Sequence, residues 1–108
     1  MKLPANSVIA PRKLTQYLLR LRLEDDKSQF LALAGYTLEK ADRLMSDIRE
    51  QILPLEAELF DETEYGPKYR IRGTLNGPNG RALRVSTIWM KENATNQTKF
   101  VTLFPDKL

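Results

Sequence analysis

The stretch KYRIRGTLNGPNGRALRVSTIWM, residues 68–90, alternates polar and apolar side chains on both sides of a central turn. From Lys68 to Leu75 the alternation is unbroken, and this period of two is typical of a half-buried β-strand. Asn76–Gly80 follows, and all five of its residues favour turns because glycine and asparagine tolerate positive φ and proline fixes φ. A second alternating run, Leu83–Met90, completes a predicted β-hairpin.

The two faces of this hairpin differ in polarity. If the turn pairs Leu75 with Arg81, the odd-numbered side chains share one face, which we expect to be buried: Tyr69, Ile71, Leu75, Leu83, Val85, Thr87 and Trp89. The even-numbered side chains then share the other face: Lys68, Arg70, Arg72, Thr74, Arg84 and Ser86. A last strand, Thr98–Phe104, is predicted to bury Phe100, Thr102 and Phe104 and to expose Lys99, Val101 and Leu103. The exposed face is therefore expected to be basic, with apolar positions at Ile88 and Met90.

Three helices are predicted before the sheet, beginning at Pro11, Glu24 and Thr37. The first carries one apolar stripe: Leu14, Tyr17, Leu18 and Leu21. Gly35 is expected to follow the end of the second helix, and Pro54 to end the third.

A short strand over residues 57–62 is predicted between the helices and the hairpin. Helices followed by strands indicate an α+β fold. We predict one domain, residues 1–108, in which about three N-terminal helices pack on one face of a four-stranded antiparallel meander sheet.

The chain has no histidine and no cysteine, which excludes imidazole and thiolate chemistry. A metal site would need carboxylates alone, and we predict neither a metal nor a cofactor. The sequence has no signal-peptide pattern and no apolar stretch that could span a bilayer. We therefore expect a cytoplasmic protein without a membrane partner.

Charge is distributed unevenly along the chain. Residues 55–67 carry five acidic and no basic side chains, whereas residues 68–108 carry eight basic and two acidic ones. A rigid sheet with this charge attracts polyanions. Trp89 has two interpretations, a core residue or a platform for base stacking.

Several segments together resemble a family of small uncharacterised bacterial domains, common in cyanobacteria and also found at the ends of larger toxin-like and phage proteins. They are KLP (2–4), PRKLTQYLL (11–19), AGYT (34–37), YGPKYRIRG (65–73), GPNG (77–80), TIW (87–89) and FVTLFP (100–105). The chain departs from this family over residues 24–29, where members carry a glycine, a basic residue and a Lys-Ala pair and this chain has only Lys27-Ser28 nearby.

The resemblance implies a toxin-like ribonuclease, because the family layout is similar to RelE, barnase and colicin-type ribonucleases. It also implies a small antitoxin-like protein as partner. Without histidine, such a metal-independent endoribonuclease would stabilise the phosphorane with lysine and arginine and move protons with tyrosine, glutamate or lysine. The candidate catalytic residues are Lys68, Arg70, Arg84, Tyr65 and Glu64, and the candidate RNA-binding residues are Arg72, Arg81, Lys99 and Ser86.

A second hypothesis is a non-catalytic interaction module. The basic face would then dock an acidic partner, or the chain would form a homodimer across a two-fold axis. The acidic run Glu56–Glu64 could be the complement of the basic face, within or between chains.

Overall fold

A computed structural model describes residues 1–19 and 27–106. Helix α1, Pro11–Lys13, continues as a π-helical turn over Leu14–Leu18, and α2 spans Ser28–Ala32. A 3₁₀ turn, Leu38–Lys40, leads into α3, Ala41–Asp47, which continues as a π-helical turn over Ile48–Ile52. The strands are β1 Glu58–Thr63, β2 Gly66–Asn76, β3 Ala82–Lys91 and β4 Thr98–Pro105.

The strands form one antiparallel sheet in the order β1-β2-β3-β4, so the predicted α+β class and the meander are confirmed. A Cβ added at Gly73 on β2 would meet the side chains of Ile52 and Leu55, so the end of the third helical segment packs against this strand. That all three helices lie on the same sheet face stays a prediction. Within the described ranges, no helix is long and apolar enough to cross a membrane.

The inner face of the sheet is the one that the hairpin pattern predicted. Ile71, Leu75, Val85, Thr87 and Trp89 are fully buried, in one core with residues of the helices such as Leu14, Leu31, Leu44 and Ile48. Trp89 is therefore a core residue, and its ring meets that of Phe100 edge to face with 5.3 Å between centroids. Its indole N–H donates to Thr87 Oγ1 at 2.8 Å, and the Thr87 hydroxyl donates to the Ile71 carbonyl at 3.1 Å.

The hairpin register differs from the predicted one by two residues, because Leu75 pairs with Leu83 and not with Arg81. The loop over residues 77–81 is closed by a 2.9 Å hydrogen bond from Gly77 N–H to the Arg81 carbonyl. A shift of two residues keeps every side chain on its predicted face, since the side-chain period is two.

The prediction for the last strand is wrong after Phe100. A β-bulge at Val101 adds one residue between the pairs Trp89–Phe100 and Ile88–Thr102. The extra residue inverts the faces that follow it, so Leu103 is buried on the inner face. Thr102 and Phe104 lie on the outer face instead. Ile88 is also on the outer face, yet it is buried and not exposed.

The predictions for the start of the first helix and for the glycine after the second agree with the structure, whereas the predicted side-chain cap of the third is wrong. The first helix begins at Pro11 as predicted, but Leu21 and the acidic start at Glu24–Asp26 lie outside the described residues. Gly35 has φ +91°, as expected of a residue that follows a helix end. Thr37 precedes the 3₁₀ turn without a side-chain capping hydrogen bond.

A buried polar pair fixes the third helical segment to the α2 end. The Tyr36 hydroxyl donates to Asp47 Oδ2 at 2.6 Å, and Arg43 Nε donates to the same oxygen at 2.9 Å. Burial, followed by the Asp47 contact, raises the pKa of Tyr36 well above its ordinary value. The phenol therefore stays protonated and keeps its role as donor.

Candidate nucleic-acid interface

The outer face of the sheet carries a row of cations on its two central strands. The register places Lys68, Arg70 and Arg72 on the same side of β2, opposite Met90, Ile88 and Ser86 of β3. Arg84 on β3 lies opposite Thr74. Alternate residues of a strand are roughly 7 Å apart, so the β2 cations form a regularly spaced column.

Asp106 holds one end of this face together. Its Oδ1 lies 3.4 Å from Arg72 Nε and accepts a 3.1 Å hydrogen bond from Ser86 Oγ, and its Oδ2 lies 3.7 Å from Arg84 Nη2. The carboxylate is only 4% exposed, whereas the two arginine side chains are half exposed. Among the described residues, Asp106 Oδ2 has no hydrogen-bond partner. The acid therefore orients two guanidinium groups that still face solvent.

Arg70 is the most constrained cation of the face. Its guanidinium forms an ion pair of 2.7 Å with Glu58 and lies 5.3 Å from the centroid of the Phe60 ring. Phe60 is 47% exposed at the bulge of β1. The contact between the exposed Phe60 ring and Arg70 was not predicted from the sequence.

Lys68, Glu64 and Tyr65 lie at the other end of the face. Lys68 is opposite Met90 of β3 and Asp61 of β1. A cavity of about 390 Å³ at this end is lined by Glu64, Tyr65, Met90, Glu92, Asn93 and Ala94. Tyr65 is 66% exposed.

The five predicted catalytic residues do not form one centre. Arg84 is opposite Thr74, six residues along β2 from Lys68, which corresponds to roughly 20 Å. A single phosphate group therefore cannot contact both Lys68 and Arg84.

The remaining predicted RNA-binding residues have different surroundings. Arg81 is exposed in the hairpin loop, whereas Ser86 is buried and donates to Asp106. Lys99 pairs with Glu92 at 3.2 Å. The Thr95 hydroxyl, followed by the Lys99 ammonium group, holds the pKa of Glu92 below its ordinary value. Within the described ranges, no three carboxylates gather as a metal site.

A further polar cluster joins residues that sequence reasoning did not connect. Lys27 Nζ lies 3.1 Å from Thr102 Oγ1 and 3.2 Å from the Tyr17 hydroxyl oxygen, and 5.1 Å from the centroid of the Tyr17 ring. The sequence assigned Tyr17 to an apolar stripe and Thr102 to the core. Lys27 and Thr102 are 75 positions apart. Spacing therefore gave no indication of their contact.

Residues 2–107 match a family model described as Domain of unknown function (DUF6883). The chain belongs to this family. The match covers nearly the whole chain, in agreement with the expected family of small uncharacterised domains. The description of the DUF6883 family names no activity. No curated protein and no solved structure matches the chain.

Proposed function

We infer that this DUF6883 domain binds single-stranded RNA on the outer face of its sheet. The observation that carries the inference is the column Lys68, Arg70 and Arg72, with Phe60 exposed beside Arg70. Cations attract the phosphate backbone, and an exposed aromatic ring offers a surface on which a base can stack. An unpaired strand presents both groups at once, whereas the bases of a duplex are hidden in its stack.

The acids on this face are compatible with binding. Glu58 and Asp106 each contact guanidinium groups, and such contacts limit the conformational freedom of arginine side chains before a ligand arrives. Arg72 and Arg84 remain about half exposed, so each has donors directed to solvent. A phosphate oxygen meets these donors without displacing the carboxylate.

The Lys68 end is the proposed place of cleavage. There the RNA 2′-oxygen attacks the adjacent phosphorus while the bond from phosphorus to the 5′-oxygen breaks. Glu64 takes the proton of the 2′-hydroxyl, Tyr65 gives a proton to the leaving 5′-oxygen, and Lys68 stabilises the negative charge. Support comes from the exposure of Glu64 and Tyr65 around one cavity, next to the Lys68–Met90 pair. The family resemblance also supports this step.

Fluorescence anisotropy of a labelled RNA strand of about a dozen nucleotides tests the binding. We expect Arg70→Gln combined with Arg72→Gln to weaken binding about tenfold or more, because two phosphate contacts are lost. The slope of log affinity against log salt should fall by about 0.7 for each lost contact between about 50 and 200 mM salt. Lys40→Gln removes one exposed charge away from the face and should leave binding unchanged. Equal affinity in the double variant and the wild type would refute RNA binding at this face.

The same RNA, incubated in EDTA and separated on a denaturing gel, tests the cleavage step. Wild type should produce fragments ending in a cyclic phosphate, whereas Lys68→Met should retain most RNA binding and lose the fragments. Intact RNA after incubation with wild type would remove the catalytic step and leave the binding proposal in place.

A second candidate function is self-association, which is favoured by the β1 edge of the sheet. Every residue of β1 except Thr63 is exposed, and Leu59 is 56% exposed. The acidic run that contains β1 would meet the basic outer face of a second copy, and a two-fold axis would repeat the contact.

Light scattering at low and high salt tests this second candidate. We expect a dimer that dissociates as salt rises, because the contact depends on charge. Glu62→Gln combined with Glu64→Gln should weaken the dimer, and Glu39→Gln, an exposed acid away from β1, serves as the control. A monomer at every salt concentration would exclude this function.

A further inference from the structure

A groove separates the first helical segment from the bulge of β4. Its volume is about 490 Å³, which falls within the usual range of small-molecule sites. It is lined by Ala10, Arg12, Lys13, Gln16, Tyr17, Val101 and Thr102. Among the described residues that line it, two are cations and none is an acid, a composition that favours an anionic ligand.

The bulge shapes the floor of this groove. Val101 is the extra residue of β4, and the inversion after it turns Thr102 to the outer face. The chain before α1 is fixed to the same strand: Val8 N–H donates to the Thr98 carbonyl, and Phe100 N–H donates to the Val8 carbonyl, each at 2.8 Å. The two walls of the groove are therefore joined by backbone hydrogen bonds.

Lys27 determines which groups act as hydrogen-bond acceptors beside the groove. Its ammonium group carries only donors, so the oxygens of Tyr17 and Thr102 act as acceptors at 3.2 and 3.1 Å. The Thr102 hydrogen must then be directed to a different acceptor. An anion supplies such an acceptor.

We propose that this groove is a phosphate-binding site, which takes the phosphate of a nucleotide or of an RNA strand. Thr102 donates to a phosphate oxygen, Arg12 and Lys13 supply charge at the rim, and Lys27 is the positioning residue. A terminal phosphate fits better than a carboxylate because its three non-bridging oxygens can meet donors on two sides of the groove, whereas a carboxylate or an internal RNA phosphodiester has two. The RNA part of this inference rests on the proposed function, whereas the nucleotide part does not.

Titration of the ¹⁵N-labelled chain with inorganic phosphate, with adenosine 5′-monophosphate and with the same RNA strand tests the site by NMR. We expect saturable shifts of amides in the first helical segment and around the bulge, at residues such as Tyr17, Val101 and Thr102. Thr102→Val should weaken phosphate binding about tenfold, because it removes a hydrogen bond to a charged group while keeping the side-chain shape. Thr102→Ser keeps the hydroxyl and should retain binding. Lys13→Gln should weaken binding, and Lys40→Gln, which removes the same charge elsewhere, should not.

The ligands distinguish the two sources of phosphate. Saturation by the nucleotide and not by RNA supports a nucleotide site and removes only the RNA part of this inference, because RNA binding at the outer face is tested separately with Arg70→Gln and Arg72→Gln. The other result is that RNA saturates the site in the wild type and in the Arg70→Gln, Arg72→Gln double variant but not in Thr102→Val. This result would support RNA binding in the groove and not on the outer face. Phosphate-induced shifts that do not saturate would overturn the inference. Equal phosphate binding by Lys13→Gln and Lys40→Gln would also overturn it, even if RNA still binds the outer face. Thermal unfolding of each variant identifies any that lose the fold. If Thr102→Val does not fold, Lys13→Gln still tests the site, because the Lys13 side chain lies on the rim of the groove.

Discussion

Gly66→Ala is expected to lower the free energy of unfolding by about 4 kcal/mol, from two separate costs. Gly66 has φ +142°, a conformation that residues with a Cβ rarely adopt. An added Cβ would also lie 2.0 Å from the Lys91 carbonyl oxygen, which is backbone and has no rotamer with which to move away. Gly66 is the first residue of β2, so the β1–β2 turn would have to shift as well.

Two other glycines separate these costs. Gly80 has φ +87° but nothing within 4 Å of an added Cβ, so Gly80→Ala should cost about 1 kcal/mol, the conformational part alone. Gly77 is not among the positive-φ glycines, but its Cβ would lie 2.1 Å from the Ala34 carbonyl oxygen. Gly77→Ala should therefore cost about 3 kcal/mol, the steric part alone. Urea denaturation of the three variants measures these values, and a Gly66→Ala variant no less stable than Gly80→Ala would contradict the close contact at Lys91.

Thr87→Val is expected to cost about 3 kcal/mol, although valine has nearly the shape of threonine. The Thr87 hydroxyl accepts from the Trp89 indole at 2.8 Å and donates to the Ile71 carbonyl at 3.1 Å, and all three residues are fully buried. Valine leaves both partners without a hydrogen bond in a place that water does not reach, and each orphaned group costs about 1–3 kcal/mol.

A double-mutant cycle isolates this network. Trp89→Phe removes the indole N–H together with part of the ring, so its cost is a cavity and not an unpaired donor. In the double variant the indole donor is already absent, so Thr87→Val leaves one group fewer without a hydrogen bond. We therefore expect the double variant to lose about 1–2 kcal/mol less unfolding free energy than the sum of the losses in the two single variants. RNA binding should be unchanged in all three variants, since these side chains face the core. Additive costs would show that the hydroxyl and the indole are not coupled.

The sequence was sufficient to predict the hairpin and its two faces. Side chains alternate between the faces with a period of two, so a register error of two residues does not move any side chain to the other face. The pairing of Leu75 was predicted two residues away from its true partner, yet no side chain changed face. The β4 bulge could not be predicted in this way. TKFVTLFP alternates too weakly to indicate where one residue is added, and the error therefore affected Thr102, Leu103 and Phe104.

The basic column was predictable for the same reason, but its neutralising partners were not. Glu58 reaches Arg70 from the neighbouring strand, and Asp106 reaches Arg72 and Arg84 from beyond the end of β4. Charge counted by segment separates Glu58 from Arg70. Asp106 falls in the same segment as Arg72 and Arg84, but a count of charges does not show that they are in contact. The Lys27–Thr102 contact joins residues 75 positions apart, which local sequence patterns do not predict.

The two edges of the sheet are unequal, and this limits how copies can polymerise. The edge of β4 is paired at Val8 with the chain that leads to α1, whereas among the described residues no isolated bridge covers the edge of β1. Continuous fibres need a free donor edge and a free acceptor edge on every unit. Because Val8 blocks part of the β4 edge, addition of a foreign strand is favoured at β1 and growth through both edges is hindered.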